Sequence, residues 1–339
     1  MLRKCSSATA DIPDPENNSN AAKRSLMKVG LIDLDRKGFP NLALMKISAH
    51  HKSKGDEIVF NMPLMEKADI TYIACVFSKN RYSLPAIDGN VILGGTGFTS
   101  RDRWLPVEVE NMMPDYSLYN TKASYGFTSR GCIRRCQYCI VPHKEGRIKP
   151  WHSIYQFWDR EHRDIVLLDN NLLASPNWKE TLVDLEKEKL KVDFNQGLDI
   201  RLVDQEKAHY LSRLKYSKQL RFALDDIKHQ KAFRQGTETL RGAGIKLSRV
   251  MVYFLIGFNS SLQEDLERLE LIKSYNATPF AMVYQEVNGV KPRIVRDERE
   301  LHEFARWVNL PHGFYKHIAF DKWVKIRGGK VNKLGIGIG

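Results

Sequence analysis

The stretch Tyr125–Pro150, YGFTSRGCIRRCQYCIVPHKEGRIKP, sets Cys132, Cys136 and Cys139 in a C-x3-C-x2-C triplet. The chain has five cysteines, and the other two, Cys5 and Cys75, lie in distant segments. The N-terminal residues show no apolar core of a secretory signal, so a disulfide framework is not expected. A tight cluster of reduced thiols points to metal. Structural zinc takes four ligands, commonly as two pairs; here His143, four residues after Cys139, is the candidate fourth ligand. An iron–sulfur cubane also takes thiolates on its irons. Three protein thiolates leave one iron open, and an open position makes a metal site reactive rather than structural.

Outward from the triplet, apolar runs alternate with helical patterns. ASYGFTS precedes the loop, and RDIVLLDNN, LKVDFNQGLDI, KQLRFALDD, LSRVMVYFLIGF and ATPFAMVYQEV follow it. Between them lie NWKETLVDLEKEKL, QEKAHYLSRLKY, HQKAFRQGTETLRGAG and SLQEDLERLELIKSY. Six strands alternating with helices over 124–286 predict a partial (β/α)6 barrel, whose chemistry belongs at the carboxyl ends of its strands. Ahead of it, MKVGLIDLD, the amphipathic NLALMKISAHHKSKG, DEIVF, ADITYIACVFS and NVILGGTGF predict a Rossmann-like parallel sheet over 27–100. The fold class is therefore α/β, in two units. Residues 1–26, rich in Ser, Asn, Pro, Asp and Ala, are read as a disordered leader. Residues 101–123, with two prolines and no clear period, are read as a linker, and 287–339 as a basic, aromatic extension.

The chain has 339 residues, a hydrophobic content of 42% and a charged content of 27%, as expected of a soluble, cytoplasmic protein. No apolar run reaches the length of a membrane span. The net charge of +13 permits a polyanionic partner, a nucleic acid or an anionic metabolite. Six bases, Arg130, Arg134, Arg135, Lys144, Arg147 and Lys149, face one acid, Glu145, around the cysteines. They could attract an anionic substrate, tune a cluster's potential, or merely face water. In the extension, Trp307, His312, Phe314, Tyr315, Lys316, Lys322 and Trp323 interleave rings with charge. That pattern suits stacking on bases or, preferably, a helix packed across the barrel mouth.

C-x3-C-x2-C at the end of the first strand of a β/α barrel resembles the radical S-adenosylmethionine (SAM) superfamily. The resemblance implies a 4Fe–4S cluster on Cys132, Cys136 and Cys139, with SAM chelating the fourth iron. It implies reductive cleavage of SAM to a 5′-deoxyadenosyl radical that abstracts hydrogen from a substrate, and an electron donor such as flavodoxin or ferredoxin. By the same resemblance Tyr138, just before the third cysteine, lies near adenine. Asp169, Asn170 and Asn171 stand where the family has a glycine–glycine–glutamate segment that meets the SAM ammonium. Asn195, Gln196, Arg201 and Asp225 stand at strand ends that serve the ribose and carboxylate, and Gly257 matches a glycine near adenine. The resemblance names no catalytic acid or base and no substrate, and it is nearest to compact members of unassigned activity.

A Rossmann-like unit ahead of such a barrel is similar to the cobalamin-binding members. Their D-x-H-x-x-G loop supplies a histidine to cobalt, but here the corresponding DLDRKGFPNLA has none. His50 and His51 fall within the predicted helix and are read as surface residues, while Gly94–Phe98, GGTGF, could approach a nucleotide or phosphate tail. The domain is thus cobalamin-binding-like, and a cobalamin-dependent methyltransferase is one alternative. CQYCIVPHKEGR also resembles the loop of the tRNA methylthiotransferases, a second alternative. Those carry a second cluster on three further cysteines, for which Cys75 and Cys5 are too few. The non-enzymatic rival is a zinc- or cluster-bearing nucleic-acid-binding module.

Overall fold

Residues 25–35, 39–63, 66–98, 104–286, 289–311 and 313–327 are described by a computed structural model. The expected leader up to residue 24, including Cys5, lies outside them, and so does His312.

The first unit begins with β1 (Lys28–Asp33), whose KVGLID run is buried along almost its whole length, as a strand covered on both faces must be. Helix α1 (Leu42–Ser53) starts at Asn41, whose side chain accepts from the Leu44 N–H at 3.2 Å. Gly55, at φ +82°, then turns the chain into β2 (Glu57–Phe60). With β3 (Ile70–Ala74) and β4 (Val91–Gly94) these strands form a wholly parallel sheet in the order β2–β1–β3–β4. The four expected strands are all present.

The segment read as a linker packs closely over its described part. It carries a short helix, α2 (Val107–Glu110), and buries Val109 and Tyr116. Tyr119 donates to Asp33 Oδ2 at 2.6 Å, and Ser48 donates to Asp115 Oδ2 at 2.6 Å, so it docks on the first unit. Glu110 Oε1 accepts from Lys46 Nζ of α1 at 2.8 Å and from Trp151 Nε1 of the second unit at 3.0 Å. The segment is a strut between the units.

The second unit opens with β5 (Ala123–Gly126) and a small antiparallel ribbon, β6 (Ser129–Arg130) with β7 (Lys149–Pro150), which encloses α3 (Val141–Lys144). The alternation follows as β8 (Asp164–Leu167), α4 (Trp178–Lys187), β9 (Lys191–Phe194), α5 (Gln205–Arg213), β10 (Lys215–Tyr216) and β11 (Leu220–Ala223). It continues as α6 (Gln230–Gly242), β12 (Val250–Ile256), α7 (Leu262–Ser274) and β13 (Thr278–Val283). The strands make two parallel sheets, β10–β9–β8–β5 and β11–β12–β13. A single parallel bridge, Leu198 to Phe222, spans the gap between them. The six expected strands therefore stand side by side in chain order, but among the described residues no sheet closes on itself.

One reason the arc stays open is visible at its last strand. The Asn309 side chain accepts from the Ala281 N–H and donates to the Ala281 carbonyl, both at 2.8 Å, so it occupies the free edge of β13. Asn309 ends α8 (Glu298–Asn309), which α9 (Phe320–Ile326) follows. Along β12, Val250, Val252, Phe254 and Ile256 are buried under the helices, whereas Met251, Tyr253 and Leu255 are half-buried on the other face. Trp307, Tyr315 and Trp323 lie in the same core as Phe254 and Ala281. The extension thus packs against the covered face of β13 rather than across a barrel mouth, and these three rings are not free to stack on bases. No helix among the described residues is long and apolar enough to cross a membrane.

Candidate functional site

The cysteine loop leaves the carboxyl end of β5 and is pinched at its neck by the β6–β7 ribbon, where Ser129 pairs with Pro150 and Arg130 with Lys149. Gly131 makes the pinch feasible. It sits at φ +80°, and a Cβ there would lie 2.3 Å from the Arg147 carbonyl oxygen. Cys132, Cys136 and Cys139 are free and half-buried. Two backbone N–H groups turn toward sulfur, Arg134 to Cys132 at 3.3 Å and Val141 to Cys139 at 3.4 Å, and Asn171 Nδ2 points at Cys132 Sγ at 3.4 Å. Such donors favour the thiolate over the thiol. Against them, burial pushes the Cys139 thiol up to about 11; the Val141 N–H opposes this, and the neighbouring Cys136 and Cys132 add to it. A bound cation reverses that balance, because a coordinating thiol is deprotonated outright.

Among the described residues no group of three or more His, Cys, Asp or Glu side chains is arranged to hold a single metal ion. A single ion needs its donors to converge on one point. A cubane puts each thiolate on a different iron, which is a wider arrangement. Three free thiols on one loop, two of them with a backbone N–H turned to the sulfur, are the kind of donor a cubane takes.

The end of β8 divides its three polar residues among different tasks. Asp169 is buried, and its carboxylate accepts from the backbone N–H of Thr128 and of Ser129, from Thr128 Oγ1 at 2.8 Å and from Ser129 Oγ at 2.6 Å. It therefore fastens the entry of the cysteine loop. Asn170 donates to Glu145 Oε2 at 2.7 Å, and Glu145 also accepts from the Gly131 N–H at 3.0 Å, so both brace the loop from within. Asn171 is buried beside Cys132, and its Oδ1 is enclosed without a hydrogen-bond partner. A buried acceptor without a donor is costly, and it marks a place where a donor from elsewhere would be accepted.

Arg201 grips Asp199, with Nε to Oδ1 at 2.6 Å and Nη2 to Oδ2 at 3.0 Å. Arg134, between the first two cysteines, donates to Asp199 Oδ2 at 2.8 Å. Asp199 thus ties the loop to the segment after β9. Burial alone would raise its pKa, but the Arg201 and Arg134 guanidiniums outweigh it and hold the carboxyl below the usual range. A depressed carboxyl contributes stability above its unfolded pKa, near 3.9, and loses that contribution as pH falls through the lower folded value. Asp199→Asn should therefore cost about 1–2 kcal/mol at neutral pH, allowing for the solvent that reaches both guanidiniums. The gap from wild type should shrink as pH falls below about 4. Chemical denaturation of both proteins between pH 7 and pH 3 measures it; a gap that stays constant would remove the charge interpretation.

The carboxyl ends of β11 and β12 hold the other side. Tyr138 donates to Asp225 Oδ2 at 3.1 Å, and the Leu255 N–H donates to Asp225 Oδ1 at 3.0 Å. Burial pushes the Asp225 carboxyl up, with the Tyr138 hydroxyl opposing. The Tyr138 ring meets Phe258 edge-on at 5.5 Å. Gly257, at φ +78°, leaves room for Leu301, which a Cβ would approach to 2.7 Å. Asn195 is half-buried and Gln196 exposed, and among the described residues neither bonds to the cysteine loop.

Asp199, Phe258 and Arg268 were not expected at this site, and Glu145, noted only as the acid among the loop's bases, turns out to brace the loop. Arg268 is buried, donating to the Leu224 and Asp225 carbonyls at 3.1 and 2.7 Å and to the Leu255 carbonyl at 2.8 Å. It clamps the two strand ends that carry Asp225 and Gly257. Its sequence signal, an acid three residues earlier on an amphipathic helix, is that of a solvated surface pair.

In the first unit, two of the three GGTGF glycines, Gly95 and Gly97, serve close packing, while a Cβ on Gly94 would meet nothing within 4 Å. A Cβ on Gly95 would lie 2.3 Å from the Cys75 carbonyl oxygen, and one on Gly97 2.4 Å from Cys75 Sγ. His51 is not a surface residue. It is buried, with Nδ1 2.7 Å from Asp56 Oδ2 and Nε2 3.2 Å from Tyr72 Oη, because the helix turns that side onto β3. His50 is half-buried. No family model matches the chain, and a search of curated proteins finds no relative.

Proposed function

We propose that the chain is a radical SAM enzyme whose 4Fe–4S cluster is held by Cys132, Cys136 and Cys139, and whose second unit is a partial barrel left open between β5 and β13. The observation that carries this reading is the thiol triplet on a loop at the carboxyl end of the first strand of a parallel series, beside the unpartnered Asn171 Oδ1. Cluster and SAM together supply reductive cleavage of a sulfonium and a carbon radical able to take hydrogen from a substrate.

The chain's own part is to hold, orient and shield. Arg134 and Val141 N–H groups stabilise the sulfur charge. Asn171 offers an amide oxygen that has no partner among the described residues, an acceptor that an ammonium group would satisfy. Tyr138 and Phe258 give an aromatic wall against which an adenine could rest. Asp225 fixes the Tyr138 hydroxyl, and Arg268 fixes Asp225. Cobalamin use by the first unit is a narrower proposal that rests on the parallel sheet, since Gly95 and Gly97, two of the three glycines expected to approach a phosphate, pack against Cys75.

The test is anaerobic reconstitution followed by reduction in the presence of SAM. The expected products are methionine and 5′-deoxyadenosine, and iron near four per chain. Asn171→Leu should keep the iron and weaken SAM binding about tenfold, the order seen when one group supporting a site is lost. Zinc at one per chain, or no cleavage by iron-loaded protein, would refute the reading.

A further inference from the structure

Beside the cysteine loop lies a second constellation that the radical reading does not use. Trp104 and Trp151 stand 5.4 Å apart, tilted by 38°. The Arg130 guanidinium lies 4.7 Å from the Trp104 ring and 3.8 Å from the Phe127 ring, and Lys149 Nζ lies 5.1 and 4.9 Å from the two indoles. The inner layer is anchored, because Trp151 Nε1 donates to Glu110 Oε1 at 3.0 Å and the buried Lys46 holds the same oxygen at 2.8 Å. The outer ring, Trp104, is 38% exposed.

Among the described residues the exposed charge of the cysteine loop beside this stack is positive, and Glu110 at the stack is held by Lys46. Glu145, the only acid of the loop, is turned inward against Gly131, Asn170 and Arg130. Arg135, Arg147 and Lys149 are exposed, and among the described residues none of them makes an ion pair with an acid. An aromatic platform with the unpaired Lys149 against its rings, and two more unpaired cations, Arg135 and Arg147, exposed on the same loop, matches a strand of bases and phosphates, because every base has a face to stack and every phosphate a charge to neutralise. An acidic protein would use the cations and leave the tryptophans idle. The rings of the C-terminal extension cannot serve, since Trp307 and Trp323 are in the core.

We propose that Trp104, Arg135, Arg147 and Lys149 form a binding surface for single-stranded nucleic acid, with a base stacked on Trp104 and phosphates on the three cations. As a statement about binding it stands alone; as a statement about substrate class it rests on the radical SAM reading, whose site is the same loop.

The test uses the full chain without cluster and a fluorescein-labelled 15-nucleotide single strand, as RNA and as DNA, in an anisotropy titration at several salt concentrations. Trp104→Ala should weaken binding roughly tenfold, the effect of losing one stacked base. The Arg135→Glu/Arg147→Glu double variant should weaken it further and flatten the logarithmic salt slope by about 1.4, at about 0.7 per phosphate. A duplex of the same sequence should bind more weakly, having no free base faces. Unchanged binding in either variant overturns the proposal, as does equal binding of inorganic polyphosphate or poly-glutamate. Should Trp104→Ala fail to fold, quenching of tryptophan fluorescence by the single strand in the wild-type chain takes its place, and no quenching overturns stacking. SAM cleavage is scored separately: binding without cleavage removes the radical reading and keeps this surface, and cleavage without binding removes this surface only.

Discussion

Cys132→Ala, Cys136→Ala and Cys139→Ala are each expected to give a folded chain that holds little iron and cleaves no SAM. Loss of a group that merely supports a metal ligand costs about 10–100-fold, so loss of a ligand itself should exceed about 100-fold. Stability should hardly change. The three side chains are half-buried on a loop, and substitutions away from the core usually stay within about 0.5 kcal/mol. The loop is held by other means, namely the β6–β7 ribbon, the Asp199 tie to Arg134, and the Cys132 N–H to Gly146 carbonyl bond at 3.2 Å. This separation is what gives the prediction force. A structural zinc site would lose stability along with its metal, and three packing cysteines would lose stability with no metal to lose. Iron content, the visible spectrum and a thermal melt on each variant decide among the three. Retention of iron and of SAM cleavage in any one of them would remove the cluster assignment, and with it the role given to Asn171.

The strands were legible in the sequence because parallel, doubly covered strands read as short apolar runs between helical patterns, and that pattern is local. All ten expected strands are where the pattern puts them, and α1, α4, α5, α6 and α7 follow the same logic. Closure was not legible. Whether a row of strands becomes a ring depends on what occupies the last edge, and here Asn309, from a helix in the extension, pairs with the Ala281 backbone. The cysteines were legible because spacing alone brings three thiols onto one loop. Their supports were not. Asp199 and Arg268 are common polar residues whose partners lie 65 and more than 40 residues away in sequence, and only the fold brings them to Arg134 and to the Asp225 carbonyl. The strut did not show because its apolar contacts, such as Val109 in the first unit's core, come from a four-residue helix too short to display a period, and the rest of its grip is polar, through Glu110, Asp115 and Tyr119.

Asp169→Ala is expected to cost about 3 kcal/mol or more. The carboxylate is 4% exposed and receives two backbone N–H groups and two hydroxyls, from Thr128 and Ser129. Alanine leaves the two N–H groups buried without partners, and an unsatisfied buried donor costs about 1–3 kcal/mol. The hydroxyls can turn elsewhere, so the estimate counts mainly the backbone. If the second unit, roughly 200 residues, unfolds as one, that loss lowers the melting temperature by about 7 °C or more. The resemblance gives Asp169 a different task, contact with the SAM ammonium, and the two tasks predict different measurements. A fastener that is removed loosens the loop entry, so stability and iron retention should fall together, and Asp169→Asn, which can keep an amide oxygen where Oδ1 now accepts from Thr128 and Ser129, should restore most of the loss. A ligand-binding carboxylate that is removed would leave the melt and the iron unchanged and lower only the affinity for SAM. Because Oδ1 accepts from both Thr128 and Ser129 while Oδ2 only shares the Thr128 N–H, the fastening is carried by Oδ1 and the first outcome is the expected one; in the proposed reading the ammonium then falls to Asn171 Oδ1, which has no hydrogen-bond partner among the described residues.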